Sequence, residues 1–505
     1  MKNTYFKLLL ILISISLFNC TDLEEEPVGI LAPEGFYKSP EDVQATIFGA
    51  YGLMAAETMF GRKYSLSIQL RGDLADIGNR GTPARRQQVN DFDMDANNGM
   101  TTVFWPEMYK TVSAVNSAIS GVDQIEAEEG VKKALEGEAR FIRAFIYYHL
   151  VRSFGEVPYL DFPVSDPESV KSISKTSVDD LYGYIIEDLE FAKLHLPETQ
   201  PENVRSRATK GTAASYLASV HLTLGNWPQA AAEAKYVINN KDLFGYNLEA
   251  DYQDIFRAEN ADALKETIFS SDFIGQIGAY PANVDYMGAL TGITGGDMQG
   301  WSVSVPAFSV YETWDDRDYR KIVSFDDSTA FNGVQIPYTE FATVQRPHIA
   351  KWTRYPGLAV GSVADTDHNY ILMRYAEVLF IAAEAIAEEN GGPNAESIGY
   401  LNEIRARARN WGGTQVDFPA DLKISDFTGK EDFIDAVLED RKWELSFEFK
   451  RWFDIKRRNL GDKVFKGPDS LEPHENFDAS RDYLFPLPGD ELDRNTNLKP
   501  QNPGY

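Results

Sequence analysis

Three aspartates at alternate positions, Asp91, Asp93 and Asp95, match the start of a calcium-binding EF-hand loop. Ala96 stands where that loop requires glycine and Thr102 where it requires a bidentate glutamate, so we expect no metal site there. The sequence has no Gly-x-Ser-x-Gly, His-Glu-x-x-His, Walker or Gly-x-Gly-x-x-Gly motif, and its 6 histidines form no evident cluster. We therefore predict a protein that is not an enzyme and needs no cofactor or metal.

Cys20 is the single cysteine of the chain, which excludes an intramolecular disulfide and a multi-cysteine metal site. It follows Lys2, Lys7 and the apolar stretch Leu8–Phe18, which is too short to span a membrane. A basic start, a short apolar stretch and a closing cysteine resemble a bacterial lipoprotein signal. Residues 1–19 are therefore predicted to be a signal peptide and Cys20 the lipidation site. The alternative is a plain signal peptide with an incidental cysteine.

Residues 20–30 are predicted to form an acidic tether, with Asp22 and Glu24–Glu26 close behind Cys20. In some Gram-negative bacteria such a run accompanies display of a lipoprotein on the cell surface, and a solvated tether is expected in either case. We predict a protein that is lipid-anchored to the outer membrane and faces the cell exterior.

The charge balance excludes two classes of partner. The chain has 49 basic and 77 acidic residues, a net charge of −28. Such a field repels the phosphates of nucleic acids and the headgroups of anionic membranes. The membrane association that we predict therefore depends on the lipid anchor.

Apolar residues recur at helical spacing along much of the chain. They predict helices over 104–125, 132–154 and 178–196, which glycines and prolines end. The charged, amphipathic stretch 432–458 is predicted to be one continuous helix. The proline-rich tail, 485–505, is predicted to be an extended strap.

The segment 209–240 has the pattern of a helix pair. Small residues lie where two antiparallel helices would cross, and Gly225 is placed to make the turn between them. This spacing resembles a tetratricopeptide unit, and a comparable pair recurs at 370–389 with 395–409. By contrast, 61–99 is rich in glycine, arginine and aspartate with little periodicity and is predicted to be loops. The segment 251–355 has crowded glycines and aromatics scattered without a period, and is predicted to be a long irregular region.

Several sequence blocks resemble the SusD/RagB family of surface nutrient-binding lipoproteins, and they extend over the whole chain. The blocks are Gly137–Phe145 leading to Phe154–Pro158, Arg374–Leu379 with Ala382–Ala385, Tyr400–Arg405, Arg441–Leu445, Arg451–Ile455 and Asn497–Tyr505.

The resemblance implies a mainly α, SusD-like fold with about four tetratricopeptide-like helix pairs and a loop-rich lobe. The expected single domain covers 31–505, with repeats within about 100–240 and 369–459 and the lobe at about 60–100 and 251–355. It also implies a partner, a SusC-like TonB-dependent outer-membrane barrel transporter. The implied role is to bind oligosaccharides, or sometimes peptides, without catalysis.

Six charged residues in these blocks lie on predicted helices, where charges normally form pairs between helix faces. We expect a structural role, through pairing across repeats, for Arg140, Arg143, Glu377, Glu384, Arg441 and Glu444. The tryptophans Trp352, Trp443 and Trp452 are assigned to the core.

Sugar binding needs flat apolar faces and a few directed polar groups, and the irregular segments supply both. The ligand-binding candidates are Asp73, Asn79, Arg80, Tyr280, Tyr286 and Trp301. For each aromatic residue the alternative is packing inside the lobe.

Two other functions stay open at this point. A helical-toroid glycoside hydrolase would also be all-helical, acidic and rich in aromatics, and it would need two opposed carboxylates. A peptide-binding or protein-interaction repeat scaffold would share the helix pairs. The sequence by itself names neither the glycan nor its contacts.

Overall fold

The computed structural model describes residues 35–275, 284–357 and 366–505. The predicted signal peptide, the tether, Cys20 and Tyr280 lie outside the described residues. No helix within the described ranges is long and apolar enough to cross a membrane.

The described residues are mainly helical. The α-helices, in chain order, are α1 (Pro40–Ala55), α2 (Lys63–Leu70), α3 (Ala84–Asn90), α4 (Thr101–Val122), α5 (Glu129–Phe154), α6 (Val178–His195), α7 (Lys210–Leu224), α8 (Trp227–Asn239), α9 (Lys241–Phe244), α10 (Met287–Thr291), α11 (Phe308–Thr313), α12 (Tyr319–Ser324), α13 (Tyr375–Asn390), α14 (Ala395–Ala408), α15 (Lys430–Glu444), α16 (Arg451–Arg457), α17 (Gly461–Lys466) and α18 (Gly489–Arg494).

The strands are short and pair as antiparallel two-stranded sheets throughout the described ranges. The pairs are β1 (Ala75–Ile77) with β3 (Ser304–Pro306), β2 (Thr267–Ser271) with β8 (Tyr370–Arg374), β4 (Phe325–Asp326) with β7 (His348–Ile349), β5 (Ser328–Phe331) with β6 (Val334–Pro337), and β9 (Asn410–Trp411) with β10 (Thr414–Gln415).

Eight long helices form one packed series, equivalent to the four helix pairs expected from the sequence. Helices α4 to α8 pack successively, α8 packs against α13, and both α14 and α15 pack against α13. The chain therefore leaves the series after α8, builds the lobe, and resumes the series at α13. The mainly α, tetratricopeptide-like fold is confirmed.

The helix pair 209–240 has the turn that the sequence predicts. Gly225 ends α7 with φ +72°, a conformation that glycine adopts without strain. Thr209 caps the start of α7 through a reciprocal bond with Thr212. Local sequence therefore determines where α7 begins and ends.

The charges expected to pair between repeat helices do so. Arg143 of α5 binds Asp188 of α6 at 2.8 Å, and Arg441 of α15 binds Glu377 of α13 at 2.8 Å. Glu384 of α13 binds Arg457 and Arg458. These buried pairs fix neighbouring helices relative to each other.

The prediction that 61–99 consists of loops is wrong in part, because α2, β1 and α3 lie there. Helix α2 is buried from Tyr64 to Leu70, and its polar residues Ser65, Ser67 and Gln69 alternate with apolar ones, so no polar face recurs at the 3.6-residue period of a helix. A helix without a polar face carries no amphipathic period for sequence analysis to detect.

The prediction of one helix over 432–458 is also wrong, because the chain breaks between α15 and α16. Phe447 and Phe449 adopt positive φ in this break. Lys351 Nζ donates to the carbonyl of Ser446 at 2.8 Å, and Arg374 Nη2 donates to the carbonyl of Glu444 at 2.6 Å. Two buried cations therefore bind carbonyls that a continuous helix would have bonded internally.

The tail from Phe485 lies across the end of α5. Phe485 N donates to the carbonyl of Ser153 at 2.7 Å, and Asn502 Nδ2 donates to the carbonyl of Phe154 at 2.9 Å. The tail is not extended throughout, since it contains α18 and the 3-10 turn Thr496–Leu498.

Candidate ligand-binding site

Strands β1 and β3 bring the two loop-rich segments of the chain together. Asp76 pairs with Val305 and Ile77 with Ser304. The ladder continues past the strands, because Gly78 N donates to the carbonyl of Val303 at 3.0 Å and Asn79 N to that of Ser302 at 2.7 Å. Asn79 and Trp301 are thereby placed side by side.

Two glycines allow this close approach of backbones. A Cβ on Gly78 would lie 2.6 Å from the carbonyl oxygen of Ser302. A Cβ on Gly300 would lie 2.0 Å from the carbonyl carbon of Gly292. Neither distance is compatible with a side chain, so both positions require glycine.

The segment that carries Trp301 is held against α10 by backbone hydrogen bonds. Trp301 N donates to the carbonyl of Ala289 at 2.7 Å, and Val303 N to that of Leu290 at 2.8 Å. The hydroxyl of Ser302 lies 2.8 Å from His348 Nε2, and burial lowers the pKa of His348 to about 4. A neutral histidine therefore supports the loop under Trp301.

An open pocket of about 290 Å³ lies between the two segments. Its lining comprises Asn79, Gly81, Thr82, Pro83, Arg86, Thr294, Gly300, Trp301 and Val303. It combines one aromatic ring with amide, hydroxyl and guanidinium groups, the mixture that a sugar site needs.

Tyr286 extends the aromatic surface beside the pocket. Its ring centroid lies 5.8 Å from that of Trp301, with 37° between the ring planes, and Arg62 lies 4.5 Å from the Tyr286 ring centroid. Both aromatic rings are half-buried. The cation–π contact holds Tyr286 on one side.

The structure brings four of the six sequence candidates to this region. Asn79 and Trp301 line the pocket, Tyr286 adjoins Trp301, and Arg80 follows Asn79 at the rim. Arg80 is 52% exposed and binds Asp91 at 2.6 Å.

Asp73 does not join them. Its side chain is 3% exposed, and both its oxygens accept hydrogen bonds from Arg451, at 2.7 and 2.8 Å. Burial would raise the pKa of Asp73, but Arg451 outweighs burial and lowers it. Asp73 thus joins β1 to α16 and offers no free oxygen to a ligand.

Sequence reasoning missed three polar residues of the pocket, Thr82, Arg86 and Thr294. Thr294 Oγ1 is buried and has no hydrogen-bond partner among the described residues. Burial, and then the nearby Arg62 and Arg85, lower the pKa of Arg86 to about 10. The sequence signal for Arg86 was the doublet of arginines at 85 and 86 in an acidic chain.

The carboxylates nearest this region are bound by arginines at the rim. Asp76 accepts a hydrogen bond from Arg346 at 2.8 Å and lies 3.5 Å from Arg80. Burial, and then the charge of Asp76, raise the pKa of Glu472 to about 7. These acids balance the rim arginines and do not line the pocket.

Two family models match the chain. One, described as the SusD family, matches residues 311–505, and the other, described as "Starch-binding associating with outer membrane", matches residues 35–222. The SusD-like protein P2 of Formosa agariphila is 48% identical over 99% of this chain and 99% of its own length.

Solved structures share the fold. A SusD homologue of Bacteroides thetaiotaomicron has a TM-score of 0.80 at 19% identity, covering 94% of this chain and 98% of its own. A laminarin-binding SusD-like protein has a TM-score of 0.74 at 21% identity, covering 93% and 100%. The surface glycan-binding protein A of Bacteroides fluxus has a TM-score of 0.76 at 20% identity, covering 93% and 100%.

Proposed function

The chain belongs to the SusD family, and from this premise we propose that it is a cell-surface lipoprotein that captures an oligosaccharide. It then delivers the ligand to a SusC-like TonB-dependent barrel transporter in the outer membrane. The observation that carries the proposal is the pocket in which Trp301 lies beside Asn79, with Tyr286 adjoining it.

The pocket has groups for both kinds of contact that sugars make, apolar packing and hydrogen bonding. The rings of Trp301 and Tyr286 offer apolar surface to the C–H faces of sugars. Asn79 offers an amide to sugar hydroxyls. Proteins of the same fold support glycan binding, since one solved structure is described as laminarin-binding and another as a surface glycan-binding protein.

The lining of the pocket supports binding without catalysis. Cleavage of a glycosidic bond uses a pair of carboxyl groups on either side of the scissile bond. The described residues that line the pocket include no aspartate or glutamate. The nearby Asp76 and Asp91 are engaged by arginines.

The anchor and the transporter complete the proposal. Lipidation at Cys20 would hold the protein at the outer membrane. The description of the second matching family also names association with the outer membrane. The surface of the lobe around the pocket would then present the oligosaccharide to the barrel.

The test is affinity electrophoresis of the full-length chain, solubilised in detergent, through gels that contain individual polysaccharides. Retardation by at least one polysaccharide is expected, with no new reducing ends released from it. Purification from native membranes under mild detergent should also recover a TonB-dependent barrel. Release of reducing ends would favour the hydrolase, and a complete lack of retardation would contradict glycan capture.

A further inference from the structure

Four cationic side chains gather beside the pocket in a protein whose net charge is −28. Arg62 and Lys63 lie at the start of α2, and Arg85 and Arg86 lie on α3. After burial, the charges of Arg62, Arg85 and Arg86 lower the pKa of Lys63. The four groups therefore repel one another, an arrangement that costs stability unless an anion offsets it.

Arg86 is the member of this group that reaches the pocket. It is 7% exposed, lines the pocket, and donates from Nη1 to Thr82 Oγ1 at 3.0 Å. No carboxylate lies within ion-pair distance of it in the part of the chain that the structure describes. The other guanidinium nitrogens of Arg86 have no hydrogen-bond partner among the described residues and are not enclosed, so they are open to water or to a ligand.

Other buried arginines make more hydrogen bonds and ion pairs with the protein than Arg86 does. Arg374 binds Glu266, Glu444 and Glu448, and Arg320 binds Asp318 at 2.8 Å. Arg205, which has no carboxylate partner among the described residues, donates to the carbonyls of Phe244 and Gly245. Arg86 has neither arrangement.

The surrounding carboxylates offset only the α2 side of this group of cations. Asp76 and Asp91 are bound by Arg346 and Arg80 at the rim. Glu57 binds Arg62, and Glu107 raises the pKa of Lys63. Arg85 and Arg86 have no ion-pair partner among the residues placed by the structure, so positive charge remains on the α3 side of the pocket.

We propose that the pocket selects anionic oligosaccharides, with Arg86 donating to a carboxylate or sulfate group of a sugar whose apolar face contacts Trp301. This inference rests on the proposed glycan-binding function. Guanidinium forms charge-assisted hydrogen bonds to oxyanions that are about twice as strong as hydrogen bonds between neutral groups. The local cations attract such a ligand in spite of the overall negative charge.

The test compares polysaccharides that differ in charge alone. Affinity electrophoresis or calorimetry of the full-length chain in low salt would use polygalacturonate against its fully methyl-esterified form, and sulfated galactan against its desulfated form. We expect the anionic member of at least one pair to bind about tenfold or more tightly. A difference within the polygalacturonate pair would identify carboxylate as the group that Arg86 binds, and a difference within the galactan pair would identify sulfate. The difference should shrink as salt is added.

Two variants locate the effect. Arg86→Gln should abolish the preference for the charged form, whereas Arg205→Gln, a buried arginine outside the pocket lining, should retain it. If Arg86→Gln does not fold, the comparison of charged and uncharged polysaccharides on the unaltered protein still tests whether anionic ligands are preferred. Equal affinity for charged and uncharged forms would contradict this inference and leave glycan capture intact, while binding of neither form of any glycan would contradict both.

Discussion

The ring of Trp301 lies 5.8 Å from that of Tyr286, although each residue comes from a different end of the loop that contains α10. The two rings are inclined by 37° and do not stack flat against each other. Trp301 lines the pocket, and the guanidinium of Arg62 packs against the ring of Tyr286. The two residues thus form one aromatic surface whose shape depends on the backbone between them.

Replacement of Trp301 by alanine should weaken glycan binding about tenfold or more, because the apolar face of the sugar loses its aromatic partner. Calorimetry with a polysaccharide that binds the unaltered chain measures the loss. Trp411→Ala is the matched control, since Trp411 is 43% exposed and stacks on Tyr319 away from the pocket. Equal losses in both variants would exclude the pocket as the binding site.

Gly300→Ala should weaken binding although it alters no ligand-contacting side chain. The added Cβ would lie 2.0 Å from the carbonyl carbon of Gly292, so the loop must move and carry Trp301 with it. Gly399→Ala in α14 is the control, because a Cβ there meets nothing within 4 Å. Its affinity should be unchanged and its stability equal or slightly greater. Unaltered binding by Gly300→Ala would show that Trp301 is not positioned by this contact.

Asp73→Asn should lower stability without lowering the affinity of the folded protein for glycan. The change leaves Arg451 without its carboxylate in a buried pair, which costs about 3–5 kcal/mol. Asn79→Ala should do the reverse, with weaker binding and a small change in stability, because Asn79 lines the pocket. Thermal unfolding and calorimetry of both variants check this contrast. A loss of glycan affinity in Asp73→Asn without a loss of stability would show that Asp73 contacts the ligand.

Glu444 should make stability depend on acid pH. Burial would raise its pKa, but Arg407, Arg374 and Arg320 outweigh burial and lower it to about 2, against an ordinary value of 4.5. A carboxyl with a lowered folded-state pKa contributes stability above its ordinary pKa, and loses that contribution as pH falls toward the folded-state value. The unfolding free energy of the unaltered chain should therefore fall between pH 4.5 and pH 2.

The variant Glu444→Gln isolates this contribution. It should be less stable at neutral pH by about 3–5 kcal/mol, because Arg374 and Arg407 lose a buried partner. Its stability should also decline less steeply over the acid range. Glu439→Gln on the same helix, where the side chain is 55% exposed, should follow the unaltered chain. Parallel pH profiles for Glu444→Gln and the unaltered chain would contradict the assignment.

The sequence predicted most of the helical series, because apolar and small residues recur at helical spacing and local signals start or stop the helices. Gly225 and Thr209 are examples, since the turn and the cap depend on neighbours within a few residues. The sequence also predicted pairing across repeats for Glu377 and Arg441, which bind each other and join α13 to α15. It failed at α2 and at the break after Glu444, where burial on all sides and distant cations decided the backbone.

For the ligand site, the sequence by itself determined which segments are irregular and carry aromatic and polar side chains, and four of its six candidates share one region. Only the tertiary structure decided that Asn79 lies beside Trp301, that Asp73 is occupied by Arg451, and that Arg86 has no carboxylate beside it. These facts depend on strand register and on charges far apart in the chain. Local periodicity carries no information about such contacts, because a pairing between distant segments is set by the packing of the whole fold.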